Sequence, residues 1–171
     1  MTGVVLVGFM GTGKTAVGQE LAGRLGWVLV DTDSRIEREA KKTITRIFSE
    51  DGENAFRAWE TQVLEALAAE PGQAVVSTGG GIVLAERNWP RLRALGPVVC
   101  LTAGVEAILA RVGRAADRPL LAGEPEEVRR RVEMLLEKRR EAYALADWAC
   151  ETEGKSPAEI AEQIIQRYRL K

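Results

Sequence analysis

One octapeptide limits what this chain can become more than any other feature. Gly8-Phe9-Met10-Gly11-Thr12-Gly13-Lys14-Thr15 matches G-x-x-x-x-G-K-S/T in full. The continuous apolar run Val4-Val5-Leu6-Val7 precedes it. After it, from Lys14 to Leu25, Ala16, Val17, Leu21, Ala22 and Leu25 recur at helical spacing. A short run apolar on both faces is what a parallel sheet asks of a strand. The octapeptide therefore reads as a glycine-rich turn between a buried strand and a helix N-terminus. Glycines let backbone N–H groups approach phosphate oxygens, and the helix adds the positive end of its dipole. Lys14 is expected to neutralise the β- and γ-phosphates of ATP, and Thr15 to offer its hydroxyl to Mg2+. Gly11, Thr12, Gly13 and Ala16 complete the expected nucleotide-side contacts.

The rest of the chain continues the alternation. Strands are expected at Trp27–Val30, Ala74–Ser77, Pro97–Leu101 and Asp147–Glu151. Helices are expected over Ser34–Ala40, Thr43–Ser49, Gly52–Ala69, Glu86–Leu95, Val105–Val112 and Pro125–Leu145, with a last one opened by Pro157. Five strands alternating with helices imply an α/β fold, a three-layer sandwich with a central five-stranded parallel sheet. With 171 residues and 46% hydrophobic residues, the chain is expected to form one domain over residues 1–171. Within it, a substrate-binding helical region falls at about 32–69 and a lid at about 112–124.

Composition removes several chemistries. There is no histidine, so histidine triads and histidine-ligated metals are excluded. A net charge of −1 argues against general affinity for nucleic acid. The early apolar run is too short to span a membrane, so a soluble cytoplasmic protein is expected. Cys100 and Cys150 lack metal spacing and read as reduced core thiols.

In open α/β sheets, ligands bind beyond the carboxyl ends of the strands. Asp31-Thr32-Asp33 follows the second strand and Gly79-Gly80-Gly81 the third. Asp31 suits a metal-side acid, and Asp33 suits an acceptor for a substrate hydroxyl. Either could instead cap the next helix. Three consecutive glycines lose much chain entropy, so an anion cradle or a tight turn must require bare backbone. Arg57 shares a helical stripe with Glu60, Leu64 and Leu67, and Arg139 with Val132, Leu135, Leu136 and Tyr143. Such arginines either snorkel outward or meet an anion. Two that converge would clamp a carboxylate, with Glu60 one turn from Arg57 to hold it. Arg118, in an irregular arginine-bearing stretch, is the candidate to place positive charge on a transferring phosphoryl group. A solvated basic loop is the alternative.

Taken in order, Gly-Phe-Met-Gly-Thr-Gly-Lys-Thr, Asp-Thr-Asp, Ile-Phe before Gly-Glu-x-x-Phe-Arg-x-x-Glu, Ser-Thr-Gly-Gly-Gly, Arg-Pro-Leu-Leu and Arg-x-x-x-Tyr resemble the shikimate kinase family from Val4 to about Ile165. The resemblance implies a P-loop, nucleoside-monophosphate-kinase-like fold and transfer of phosphate from Mg-ATP to the 3-hydroxyl of shikimate. It implies that Asp33, Arg57, Gly80 and Arg139 bind shikimate, flanked by Gly79 and Gly81, with Phe48, Phe56 and Glu60 around them. It gives Lys14, Thr15 and Asp31 to the phosphates and Mg2+, Arg118 to the lid and Arg111 to the adenine side. Family members often carry arginine and asparagine before the proline where this chain reads Lys155-Ser156-Pro157. Nucleotide contacts at Lys155 and Ser156 are therefore expected to run through backbone. The expected partner is the small molecule alone, bound by a monomer.

Overall fold

The computed structural model describes residues 2–112 and 124–171. The elements follow one another as β1 (Thr2–Gly8), α1 (Lys14–Leu25), β2 (Val28–Asp31), α2 (Thr32–Ala40), α3 (Ile44–Arg46), α4 (Glu53–Ala69), β3 (Gln73–Ser77), α5 (Trp89–Leu95), β4 (Val98–Thr102), α6 (Val105–Val112), α7 (Pro125–Ala144), β5 (Trp148–Glu151) and α8 (Pro157–Tyr168). The five strands form one sheet in the order β2-β3-β1-β4-β5, and every pairing is parallel.

Period-two alternation in the buried strands sends successive side chains to opposite faces. Val5, Val7, Ala74, Val76, Val98 and Cys100 face one layer, which holds Ile36 of α2, Val63 and Leu67 of α4, and Leu92 of α5. Val4, Leu6, Val75, Val99 and Leu101 face the other, filled by Leu21 of α1 and Ile160 and Ile164 of α8. A third cluster joins Phe9 to Ile108 and Val112 of α6 and Val132 of α7. The helix after β1 lies on one face and the helices after β3 on the other. A crevice therefore opens between the ends of these neighbouring strands, as a topological switch point requires.

Four local details depart from the sequence-based expectation. Helix α2 starts two residues early, because Asp31 closes β2 and caps the helix at once, its Oδ1 accepting from Ser34 N at 3.0 Å. The segment after Thr43 is a short α-turn followed by a π-turn over Ile47–Asp51, closed where Gly52 N donates to Ile47 O at 2.9 Å. A 3₁₀ turn at Ile82–Leu84 has no sequence signal of its own. A second 3₁₀ turn, Glu86–Asn88, takes the first residues expected in α5. Among the described residues, no helix is long and apolar enough to cross a membrane.

Candidate active site

The octapeptide wraps the start of α1. Gly8, Gly11 and Gly13 have φ of 139°, 78° and 94°, values that favour glycine. Two of them are also closely packed. A Cβ on Gly8 would fall 2.4 Å from Leu101 O, and one on Gly11 2.6 Å from Val112 Cγ2. On Gly13 it would meet nothing within 4 Å, and Gly13 caps α1 without a side-chain hydrogen bond. The first amides of α1 therefore face the cleft with no side chain across them, which is the arrangement an anion uses. Lys14 Nζ folds back over the loop and donates to Gly8 O at 2.8 Å and Phe9 O at 2.9 Å. Thr12 is buried and donates its hydroxyl to Phe9 O at 2.7 Å.

A cleft of about 690 Å³ runs from this loop to the acid side, a size suited to small ligands. Gly11, Gly13, Lys14, Thr15, Ala16 and Arg111 line it together with Arg57, Gly79, Gly80, Gly81 and Arg139. Asp31 and Asp33 lie along it too. The structure thus brings the lysine, both arginines and both aspartates to one hollow.

The triple glycine has a physical reason that the sequence did not disclose. None of the three has positive φ, so backbone freedom is not what is needed. Each instead lies against a different charged side chain. A Cβ on Gly79 would fall 2.5 Å from Asp33 Oδ1, on Gly80 3.0 Å from Arg139 Nη1, and on Gly81 2.6 Å from Arg57 Nη1. The Gly79 N–H is already donated to Thr32 Oγ1 at 3.2 Å, so it is not an open cradle.

Arg57 is held on three sides. Its Nη1 donates to Glu60 Oε2 at 2.9 Å, its Nη2 donates to Glu53 Oε1 at 3.0 Å, and Cζ sits 5.5 Å from the Phe56 ring centroid. Burial works against its charge, but Glu60 and Glu53 outweigh burial and raise its pKa. Glu60 shifts the opposite way for a carboxylate in an ion pair: its pKa is raised, first by burial, with Arg57 opposing. The two fit together because Glu60 is 1% exposed and Arg57 has a second, solvent-facing carboxylate. Glu60 Oε1 has no hydrogen-bond partner among the described residues.

Arg139 is 8% exposed, and its Nε also lacks a hydrogen-bond partner among the described residues. Arg139 also lines the cleft, where a guanidinium suits an incoming carboxylate. The π-turn presents half-exposed Phe48 beside Phe56, ring centroids 4.7 Å apart, to form an apolar wall. Thr15 and Asp31 supply hard oxygens on the phosphate side, the donor type suited to Mg2+. Asp31 Oδ1 also caps α2, so the capping and metal-side readings are compatible.

Arg111 bridges the loop to the strand-β5 side, donating from Nη1 to Gly11 O at 3.2 Å and from Nη2 to Thr152 O at 3.3 Å. Lys155 and Ser156 do not line this cleft. Lys155 Nζ donates to Glu151 O at 3.0 Å, and Ser156 closes a capping box with Glu159 on α8. Arg118 and most of the expected lid lie outside the described residues.

Three groups had no assigned role in the sequence reading. Tyr143 donates its hydroxyl to Gly80 O at 2.8 Å. Burial pushes that phenol up to about 12, which keeps it a donor. Thr32, between the aspartates, is fully buried and accepts from Gly79 N. Phe9 packs under Arg139, with Cζ 5.3 Å from its ring centroid. The four-residue spacing of Arg139 and Tyr143 was a usable signal for the first of these.

A phosphate loop on the central strand of a sheet in this order, facing an arginine-bearing hollow, defines a P-loop phosphotransferase of nucleoside-monophosphate-kinase-like build. The sequence profile of the family described as shikimate kinase matches residues 10–169, and the chain belongs to that family. A shikimate kinase of Thermodesulfovibrio yellowstonii is 43% identical over 169 residues, covering 98% of this chain and 95% of that protein. The shikimate kinase of Acinetobacter baumannii, solved in complex with shikimate, superposes with a TM-score of 0.89 at 37% identity, covering 99% of this chain and 93% of the other. That of Bacteroides thetaiotaomicron gives a TM-score of 0.91 at 28% identity, covering 99% of each chain.

Proposed function

We propose that the protein phosphorylates the 3-hydroxyl of shikimate with Mg-ATP, by in-line transfer, within aromatic amino-acid biosynthesis. One observation carries the reading: Lys14, Asp33, Arg57 and Arg139 line one cleft, and three consecutive glycines make room for three of them. A ring acid bearing hydroxyls needs a cationic clamp for its carboxylate and an anionic acceptor for its hydroxyls. Arg57 and Arg139 supply the first, and Asp33 supplies the second.

Each residue then has a definite task. The amides from Gly11 to Ala16 cradle the phosphates, and Lys14 exchanges the carbonyls of Gly8 and Phe9 for the β- and γ-phosphates. Thr15 and Asp31 hold Mg2+, which when bound neutralises charge on the phosphate oxygens. Asp33 orients the attacking hydroxyl and takes its proton late, because phosphoryl transfer demands little proton abstraction early. Arg118 places charge on the transferring group and Arg111 lies on the adenine side. The working unit is a single domain and a monomer, with helices near 32–69 binding the acid and residues near 112–124 closing over it.

A coupled assay with ATP and a panel of shikimate, gluconate, AMP and CMP tests this. Turnover confined to shikimate is expected. Turnover on gluconate or a nucleotide instead, or ATP binding with no transfer to any acceptor, would overturn it.

A further inference from the structure

A buried guanidinium must have its charge met from some direction. Among the described residues, Arg139 forms no ion pair with a carboxylate, although it is 8% exposed. It differs in this from Arg57, whose charge is shared by Glu60 and Glu53. What Arg139 has is the Tyr143 hydroxyl beside it, the more distant charge of Glu60, and the face of Phe9, 5.3 Å from Cζ to ring centroid. Phe9 is 1% exposed, and Ile108, Val112 and Val132 fix its ring from α6 and α7. The same residue belongs to the phosphate loop, where its carbonyl accepts from Lys14 Nζ at 2.9 Å and Thr12 Oγ1 at 2.7 Å.

An aromatic face attracts a cation without offering it an anion. A glutamate in that place would hold Arg139 equally well but would compete with an incoming carboxylate. A ring orients the guanidinium and leaves its cleft-facing edge available. We propose that Phe9 is a positioning residue of the acid site, its ring face holding Arg139 in the orientation that receives the substrate carboxylate. The proposal rests on the reading of Arg139 as a carboxylate-binding group. It makes one loop residue serve both reactants, the phosphate side through its carbonyl and the acid side through its ring.

The test replaces Phe9 site-specifically with phenylalanines carrying one, two and three ring fluorines, which weaken the negative face while nearly keeping the shape. The dissociation constant for shikimate, measured by calorimetry without nucleotide, is expected to rise stepwise, reaching about 5–30-fold. KM for shikimate should rise more than kcat falls, and Tm should stay constant along the series. Phe9→Leu should reach the same affinity end point. If that variant fails to fold, the fluorinated series still decides. A flat dissociation constant along the series in an enzyme that phosphorylates shikimate overturns this inference and leaves the acid-site reading standing. An unmodified protein that phosphorylates no acid overturns both.

Discussion

Gly81→Ala isolates the steric purpose of the triple glycine. The backbone of Gly81 has φ −99° and ψ −9°, which alanine adopts without strain. Any penalty must come from the added methyl group. That group would lie 2.6 Å from Arg57 Nη1 and 3.0 Å from Nη2, and Arg57 would have to retreat by most of an ångström to reach ordinary contact. It is not free to do so cheaply, because Glu60, Glu53 and the Phe56 ring fix it. Retreat loosens the 2.9 Å bond to Glu60, whose carboxylate is 1% exposed. A hydrogen bond to a charged group contributes about 1.5–3 kcal/mol, and the lost chain entropy of glycine returns about 0.4–1 kcal/mol to the variant's stability. The expected result is a dissociation constant for shikimate raised about 10–100-fold, with ATP affinity unchanged and a fall in Tm of a few degrees at most. Calorimetric titration of both ligands, with a thermal melt of each variant, measures this. Shikimate affinity equal to that of the unaltered protein would refute the argument that glycine is there to admit Arg57.

Four other outcomes follow from the same geometry. Asp33→Asn should lower kcat about 10²–10⁴-fold with little change in ATP binding; equal loss of both counts against the acceptor role. Arg139→Ala should weaken shikimate binding about 10–100-fold, and unchanged affinity in titration removes it from the clamp. Glu60 has a folded pKa raised above its ordinary value by burial, so the folded state binds the extra proton. Its contribution to stability is full below the unfolded value and is lost as pH rises through the folded one. Denaturant melts of Glu60→Gln across that window should lack this component, and an identical pH profile refutes it. Ser156→Ala removes a capping box and should lower stability by about 0.5–2 kcal/mol, whereas Ser156→Asp should restore most of it in thermal melts.

The frame of the molecule was legible in sequence because it rests on periodicity and on one motif with fixed chemistry. Val4–Val7 and the stripe from Ala16 to Leu25 each signal one element, and α1 and α6 begin and end where their patterns do. What escaped was set by contacts between distant segments. The 3₁₀ turn at Ile82–Leu84 is tied to a side chain outside it, Asn88 Nδ2 donating to Ile82 O at 2.9 Å, while Ile82 and Val83 pack into the core. The glycines of residues 79–81 announced a demand for bare backbone, but the demand comes from side chains on α2, α4 and α7, which no local reading can see. Phe9 was hidden for the same reason, since a variable position in a phosphate loop has no pattern to betray a partner on α7.

The adjacency of β1 and β3 has a consequence for altering this enzyme. Their register pairs Leu6 with Ser77, two residues before the phosphate loop on one strand and the glycine triplet on the other. The spacing between the phosphate loop and the backbone proposed to underlie the acceptor therefore starts from a rung of sheet, roughly 4.8 Å, which neither loop sets. A different acceptor should be sought by resculpting α4 and α7, leaving the sheet to act as an inherited ruler.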